Sequence, residues 1–443
     1  MSISTRNRAA RCSAAALLAM LTVTAGDLAA QTPEPVTLTL DEVVRRTLQN
    51  SPQVMQAQGA VQTAGASELT AFGSFLPNLN ISSGAALSST QRFDPNTNTN
   101  VTGSSDSYNA GISSSIDLFT GGRRGAQLTQ ARMETRASEA SLVQQRYAVT
   151  RNAKAAYFDV ARASDLIRSA EARLERADEG LAAAQLRSQA GSATRSDVLR
   201  SELERTNARQ ALLQANNQKR AAMYALGRLV AIDGPVDVAG EHPLTAEELT
   251  LTPEQLLELA LTQAPAVITA QANERAAQAG IRVSRAQYMP SVNSSGSYNW
   301  NNDAPSFADM RSSWSVRMGL SFPVFNRFAR EESVERSRVS ATVARYQLED
   351  ARRATRANLE ALLGTLETSR LAISIAQEAL ALAEEDLRVQ QERYRLGVST
   401  ILEQVTSQEN LVAAETSLIA AQYDYQLALA ELESLIGREL QAA

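Results

Sequence analysis

Much of the usual equipment of enzymes is missing from this sequence. It holds one cysteine, Cys12, and one histidine, His242; lysine occurs only at Lys154 and Lys219, and aromatic residues make up 5%. A lone cysteine allows no disulfide and no thiol metal cluster. His242 stands beside Pro243 in a linker rich in breakers, without a second imidazole to complete a metal or catalytic set. No H-E-x-x-H, G-x-S-x-G or phosphate-loop pattern occurs. Gly121-Gly122-Arg123-Arg124 lacks the lysine-serine/threonine ending of a phosphate loop and reads as a bend. These absences predict a protein that is not an enzyme and carries no cofactor or metal. The formal net charge of −5 removes the basic face that a nucleic-acid partner requires. No stretch reaches the roughly 18 consecutive apolar residues of a membrane helix, so any passage through a bilayer must be made by strands.

The N-terminus reads as a signal peptide over residues 1–30. Arg6, Arg8 and Arg11 precede a short apolar run from Ala14 to Ala25, and Leu28-Ala29-Ala30 suits cleavage before Gln31. Cys12 lies inside this segment after Arg11, a context that does not suit lipid anchoring.

The mature chain is duplicated. Leu40 to Ser83 aligns with Pro253 to Gly296 at a constant offset of 213, pairing Pro52 with Pro265, Val54 with Val267 and Pro77 with Pro290. A second register holds at an offset of 206, pairing Phe119 with Phe325, Leu174 with Leu380, Gly191 with Gly397 and Leu229 with Leu435. The change of offset places a longer loop in the first copy, around Asn96 to Asp106. The first repeat spans 31–232: a helix over 41–72, a β-hairpin over 75–120, and long helices over 123–190 and 194–231. A linker follows at 233–252. The second repeat spans 253–437: a helix over 254–287, a hairpin over 288–325, and helices over 328–396 and 399–436, with a tail at 438–443.

Strand character is clearest where Trp314, Val316, Met318, Leu320, Phe322 and Val324 alternate with Ser315, Arg317, Gly319, Ser321 and Pro323. Each strand is expected to run 10 to 12 residues, the length that crosses a bilayer when tilted. A soluble sandwich would also show one apolar and one polar face. Four strands in two separated hairpins cannot close a barrel alone, so a membrane location demands several chains. Trp300, Trp314, Tyr298 and Tyr108 lie near the hairpin ends, where an interfacial aromatic girdle or ordinary strand packing would place them. Arg317 falls on the polar face.

The helical segments carry coiled-coil seams of alternating large and small residues: Ile167, Ala170, Leu174, Ala177, Leu181, Ala184, and Ile373, Ala376, Leu380, Ala383, Leu387. A helix over 123–190 extends roughly 100 Å. Each hairpin turns at a glycine, Gly191 or Gly397. Thr194 with Asp197 and Thr400 with Glu403 each fit a capping box. The same acids would form a charged ring if several chains brought them together, and the two roles are compatible.

This plan resembles the TolC family of outer-membrane efflux and secretion proteins across essentially the whole mature chain. The duplication, the hairpins bounded by Pro77, Pro290 and Pro323, and the tip segments Ala190–Leu199 and Tyr394–Val405 carry the resemblance. It implies a mainly α fold with a membrane β-barrel portion. Three identical chains would supply a 12-stranded barrel in outer-membrane lipid, continuous with a periplasmic coiled-coil α-barrel. It further implies a passive duct that meets a periplasmic adaptor and, through it, an inner-membrane RND, ABC or MFS transporter. In the family, tyrosine, arginine and aspartate contacts close the periplasmic entrance. Tyr394 and Asp197 fall on two such positions, implying a hydrogen bond between them, and Glu403 falls where a constriction-lining aspartate is expected. Ser399 replaces an expected arginine and Thr406 a second aspartate, so the resemblance implies an entrance that is either less acidic and less tightly latched or latched differently, with Arg195 a candidate substitute. The tips at Gly191, Ser192, Thr194, Gly397, Ser399 and Thr400 are the implied adaptor contacts. The rival reading is a periplasmic coiled-coil adaptor, but that architecture has one helical hairpin set in a Gly-rich β domain, whereas this chain has two hairpins.

Overall fold

A computed structural model describes residues 35–95, 98–239, 250–303 and 311–440. The signal segment and His242 lie outside these residues. Each copy begins with two short helices rather than one. In the first copy they are α1 (Leu40–Asn50) and α2 (Pro52–Gly73). In the second they are α5 (Pro253–Gln263) and α6 (Pro265–Arg285). The break falls before a proline in both, because the ring cannot accept a helical residue before it. Ser51 caps α2, its hydroxyl accepting from the Val54 amide at 3.5 Å.

Two long helical hairpins follow the strands: α3 (Arg123–Gln189) with α4 (Arg195–Leu229), and α7 (Ala329–Arg395) with α8 (Ile401–Ile436). Their seams carry the alternating residues read from the sequence. Ala177, Leu181 and Ala184 are buried on α3, and Ile373, Ala376 and Leu387 on α7.

The duplication extends to the core. Val43, Ala153, Val160, Leu226 and Val230 form one buried cluster, and Leu256, Leu359, Leu366, Leu432 and Ile436 form another. Each member of the first pairs with one of the second at the offsets found in the sequence. Two parallel three-residue strands tie the segment before α1 to the inter-repeat linker: β1 (Val36–Leu38) and β4 (Val236–Val238). Leu38 and Val236 reach the first core through this pairing. Three-residue strands leave too little periodicity to be seen in sequence.

The remaining strands are β2 (Asn78–Asp94), β3 (Thr99–Phe119), β5 (Ser291–Asn302) and β6 (Arg311–Ser321). Two expectations are corrected here. The hairpins are not separate: β3 pairs with β5, giving one antiparallel sheet in the order β2-β3-β5-β6. Nor is the stretch read as a longer loop, around Asn96 to Asp106, a loop from Thr99 onwards. The first copy's extra residues extend the strands to 17 and 21, paired as far as Asp94 with Thr99. Ser and Thr runs satisfy a two-stranded ladder as readily as they fill loops, so composition misled.

The turn from sheet to long helix needs two consecutive left-handed residues. The first copy uses Gly121 and Gly122, at φ 62° and 83°. The second uses Arg327 and Phe328, at φ 58° and 64°. A side chain costs about 1–2 kcal/mol in that region. Allowing for the greater chain entropy of glycine, Arg327→Gly is expected to stabilise the fold by about 1 kcal/mol. A higher temperature of heat-induced dissociation in detergent would show it.

Candidate channel wall and periplasmic entrance

Pairing register sorts the strand residues into two faces. Ile81, Ile112, Tyr298 and Trp314 occupy one cross-strand row, and Leu79, Ser114, Gly296 and Val316 the next. Large apolar residues on this face lie open: Ile81 is 78% exposed, Val316 70% and Met318 73%. An apolar surface running across four strands is a binding or lipid-contact surface, not scattered exposure. Tyr298, opposite Trp314, and Trp300, one rung further along, lie with ring centroids 4.6 Å apart on the same face, and Tyr108 stands on the rung after that. Aromatics clustered on neighbouring rungs towards one end of the strands suit a bilayer interface.

The opposite face is polar. Asn80, Ser113, Ser297 and Ser315 form one row, and Asn78, Ser115, Ser295 and Arg317 another. The Ser297 and Ser315 hydroxyls meet at 3.0 Å, and Asn78 Oδ1 accepts from the Ser115 amide at 2.7 Å. Such a face suits water.

Where sheet meets helix, a matched pair of arginines holds the joint. Arg124 donates to the carbonyls of Ser74 and Leu118 at 3.2 and 3.3 Å, with its guanidinium 4.9 Å from the Phe75 ring centre. Arg330 donates to the carbonyls of Pro323 and Val324 at 2.9 and 3.2 Å, 4.8 Å from the Tyr288 ring centre. The ends of helices and strands leave carbonyls unpaired, and a guanidinium can satisfy two at once while stacking on an aromatic ring. The offset of 206 relates the two arginines and that of 213 relates Phe75 to Tyr288. The repeat signal therefore contained this device, although composition gave it no prominence.

The two hairpin tips share one geometry. Gly191 and Gly397 adopt φ 74° and 77°. Ser192 N donates to Arg187 O at 2.8 Å, and Val398 N to Arg393 O at 3.0 Å, the closing bond of a Schellman turn. Thr194 and Asp197 form a complete capping box, with Asp197 Oδ2 accepting from the Thr194 amide at 2.8 Å and from its hydroxyl at 2.9 Å. At the second tip, Thr400 caps α8 by accepting from the Glu403 amide at 3.4 Å, and Ser399 donates to Glu403 Oε2 at 2.9 Å. Arg195 and Glu403 are exposed.

Tyr394 lies only 8% exposed, and its hydroxyl has no hydrogen-bond partner within the chain. The Tyr394–Asp197 bond implied by the resemblance is therefore absent from this protomer, the carboxylate being engaged in its own helix cap. Burial raises the phenol above its ordinary pKa; Arg187 opposes the rise and Asp197 adds to it. The arginine that does meet Tyr394 is Arg187, in the last turn of α3. Its guanidinium lies 4.3 Å from the ring centre, and Nη1 donates to the Tyr394 carbonyl. The two residues are 207 positions apart, so no local pattern reveals the contact.

Together these parts define a class: a subunit that sets a two-faced antiparallel sheet in a membrane and continues from it as long helical hairpins. The chain belongs to the outer membrane efflux protein family, whose model matches residues 43–231 and 256–438, one stretch in each copy. It is 26% identical over 405 residues to the pyoverdine export outer membrane protein OpmQ of Pseudomonas aeruginosa, covering 90% of this chain and 83% of that protein. It is 29% identical over 413 residues to protein CyaE of Bordetella pertussis, covering 90% and 85%. Among solved structures, CusC superposes with a TM-score of 0.81 at 19% identity, covering 91% of this chain and 93% of that one. The open-state MtrE channel of Neisseria gonorrhoeae gives 0.74 at 20% identity, covering 91% and 89%. The chain is thus an outer-membrane channel protein with a long periplasmic extension.

Proposed function

We propose that three copies of this chain form the passive exit duct of a tripartite efflux or type I secretion system. An inner-membrane RND, ABC or MFS transporter would feed it through a periplasmic adaptor. The observation that carries this reading is the four-stranded sheet with one apolar, exposed face and two unpaired edges, β2 and β6. Lipid offers no partner to an open strand edge, so the edges must pair between subunits. The duct supplies passage only; energy enters through the partner.

The internal repeat supplies the register of that closure. Within the chain, β3 of the first copy pairs with β5 of the second, Ile112 facing Tyr298. Moving each residue to its repeat equivalent places Met318 opposite Ala85 of the partner subunit. Both lie on the apolar face, as pairing requires. The mature chain lacks cysteine, so Met318→Cys with Ala85→Cys tests this directly. Oxidation is expected to give covalent dimers and trimers in outer-membrane fractions. A chain that stays monomeric while inserted would exclude the trimeric duct.

At the other end, Asp197, Glu403, Arg195 and Tyr394 would line the periplasmic entrance, with Arg187 joining the two tips of each chain. The turns at Gly191, Ser192, Thr194, Gly397, Ser399 and Thr400 would meet the adaptor. Leu199, Leu396, Val398 and Leu402, each more than half exposed, offer apolar contact there.

A further inference from the structure

We infer that Arg317 makes the membrane-spanning barrel favour anions, so that the duct discriminates between solutes by charge at this level. This rests on the trimeric duct reading.

Pairing with Ser295 puts Arg317 on the polar face, near the middle of β6. Mid-bilayer exposure of an arginine to lipid would cost about 2–4 kcal/mol, so the side chain belongs to the water-filled side. Across the four-stranded part, three charges stand on that face among the described residues. Asp117 pairs with Arg123 at 3.6 Å, and Arg311 with Asp303 at 3.7 Å. Arg317 is exposed and, among the described residues, is the charge on this face that no ion pair neutralises. The first hairpin holds Gly111, opposite Ser82, at the equivalent rung, so each chain contributes one such charge.

The wall around it lies flat. Asn109 is paired with Gly84, Asn299 with Gly111, and Asn293 with Gly319. Each asparagine carboxamide fills the space that a β-carbon on its glycine partner would need. The asparagines thus fold along the sheet and present neutral amide to the water, leaving the guanidinium as the group that projects. Twelve strands about 4.8 Å apart and tilted about 40° enclose a backbone radius of about 12 Å. An extended arginine spans about half of that. The remaining gap is shorter than the screening length of about 8 Å at physiological salt, so three guanidinia set the potential on the axis. The entrance acids lie a helical hairpin away, roughly 100 Å, and do not cancel it.

The test is the reversal potential of single channels in planar bilayers under a tenfold KCl gradient. It uses native protein, Arg317→Ser and Arg317→Glu, each also combined with Arg187→Ala so that a closed entrance does not hide the barrel. Removing the charge is expected to lower chloride relative to potassium permeability about two- to fivefold, with glutamate shifting it further and dilute salt enlarging both changes. Equal reversal potentials in all three Arg187→Ala backgrounds would overturn the inference while leaving the duct intact. Absence of any channel from the Arg187→Ala protein would instead overturn the duct reading on which it stands.

Discussion

Val316→Arg is expected to abolish the assembled channel, whereas Ser315→Arg, one residue away, leaves it standing. Val316 is 70% exposed on the apolar face, and Ser315 stands on the polar face opposite Ser297. A lipid-facing arginine near the bilayer midplane costs about 2–4 kcal/mol, and three chains multiply this to about 6–12 kcal/mol per trimer. That sum matches the whole stability of a typical fold. Ser315→Arg loses one hydroxyl contact worth about 1 kcal/mol and places its charge in water. Heat-modifiable trimer in outer-membrane fractions separates the two outcomes. Equal tolerance of both substitutions would mean that the faces had been assigned to the wrong solvents.

The second large effect belongs to the entrance. Arg187→Ala removes a cation–π stack worth about 0.5–2 kcal/mol and a charge-assisted hydrogen bond worth about 1.5–3 kcal/mol from each of three chains. If this contact holds the tips of α3 and α7 together when the duct is closed, losing about 2 kcal/mol per chain should raise open probability well beyond tenfold. Arg187→Lys keeps the charge without the planar stack and should fall between. Tyr394→Phe is the informative control. Its hydroxyl is buried without a partner. Removing it should leave the closed conductance level unchanged and stabilise the tip by about 1 kcal/mol. A large conductance rise in Tyr394→Phe, with none in Arg187→Ala, would return the latch to the Tyr394–Asp197 bond that the resemblance implies.

These predictions draw on different kinds of information. The faces used in the first were already legible in β6, where Trp314, Val316, Met318 and Leu320 alternate with small polar residues, because a strand reverses its side chains at every step. The long helices were equally legible, since Ala177, Leu181 and Ala184 repeat at helical spacing and are buried. The glycine turns at Gly191 and Gly397 announced the tips for the same local reason. The contact used in the second prediction was not visible, because Arg187 reaches a ring 207 residues away.

By itself, then, the sequence determined what local periodicity and self-similarity can encode: two copies, their helices and strands, the polar and apolar faces, and the capped tips. Tertiary structure decided what depends on residues brought together from afar. It joined β3 to β5 in one sheet, extended β2 and β3 through the stretch read as a loop, and gave Arg124 and Arg330 the same task at the two joints. It also engaged Asp197 in its own cap while seating Arg187 on Tyr394. The physical reason is that hydrogen-bond register and side-chain stacking are settled by the competition among all available partners, and a one-dimensional pattern names only the neighbours along the chain.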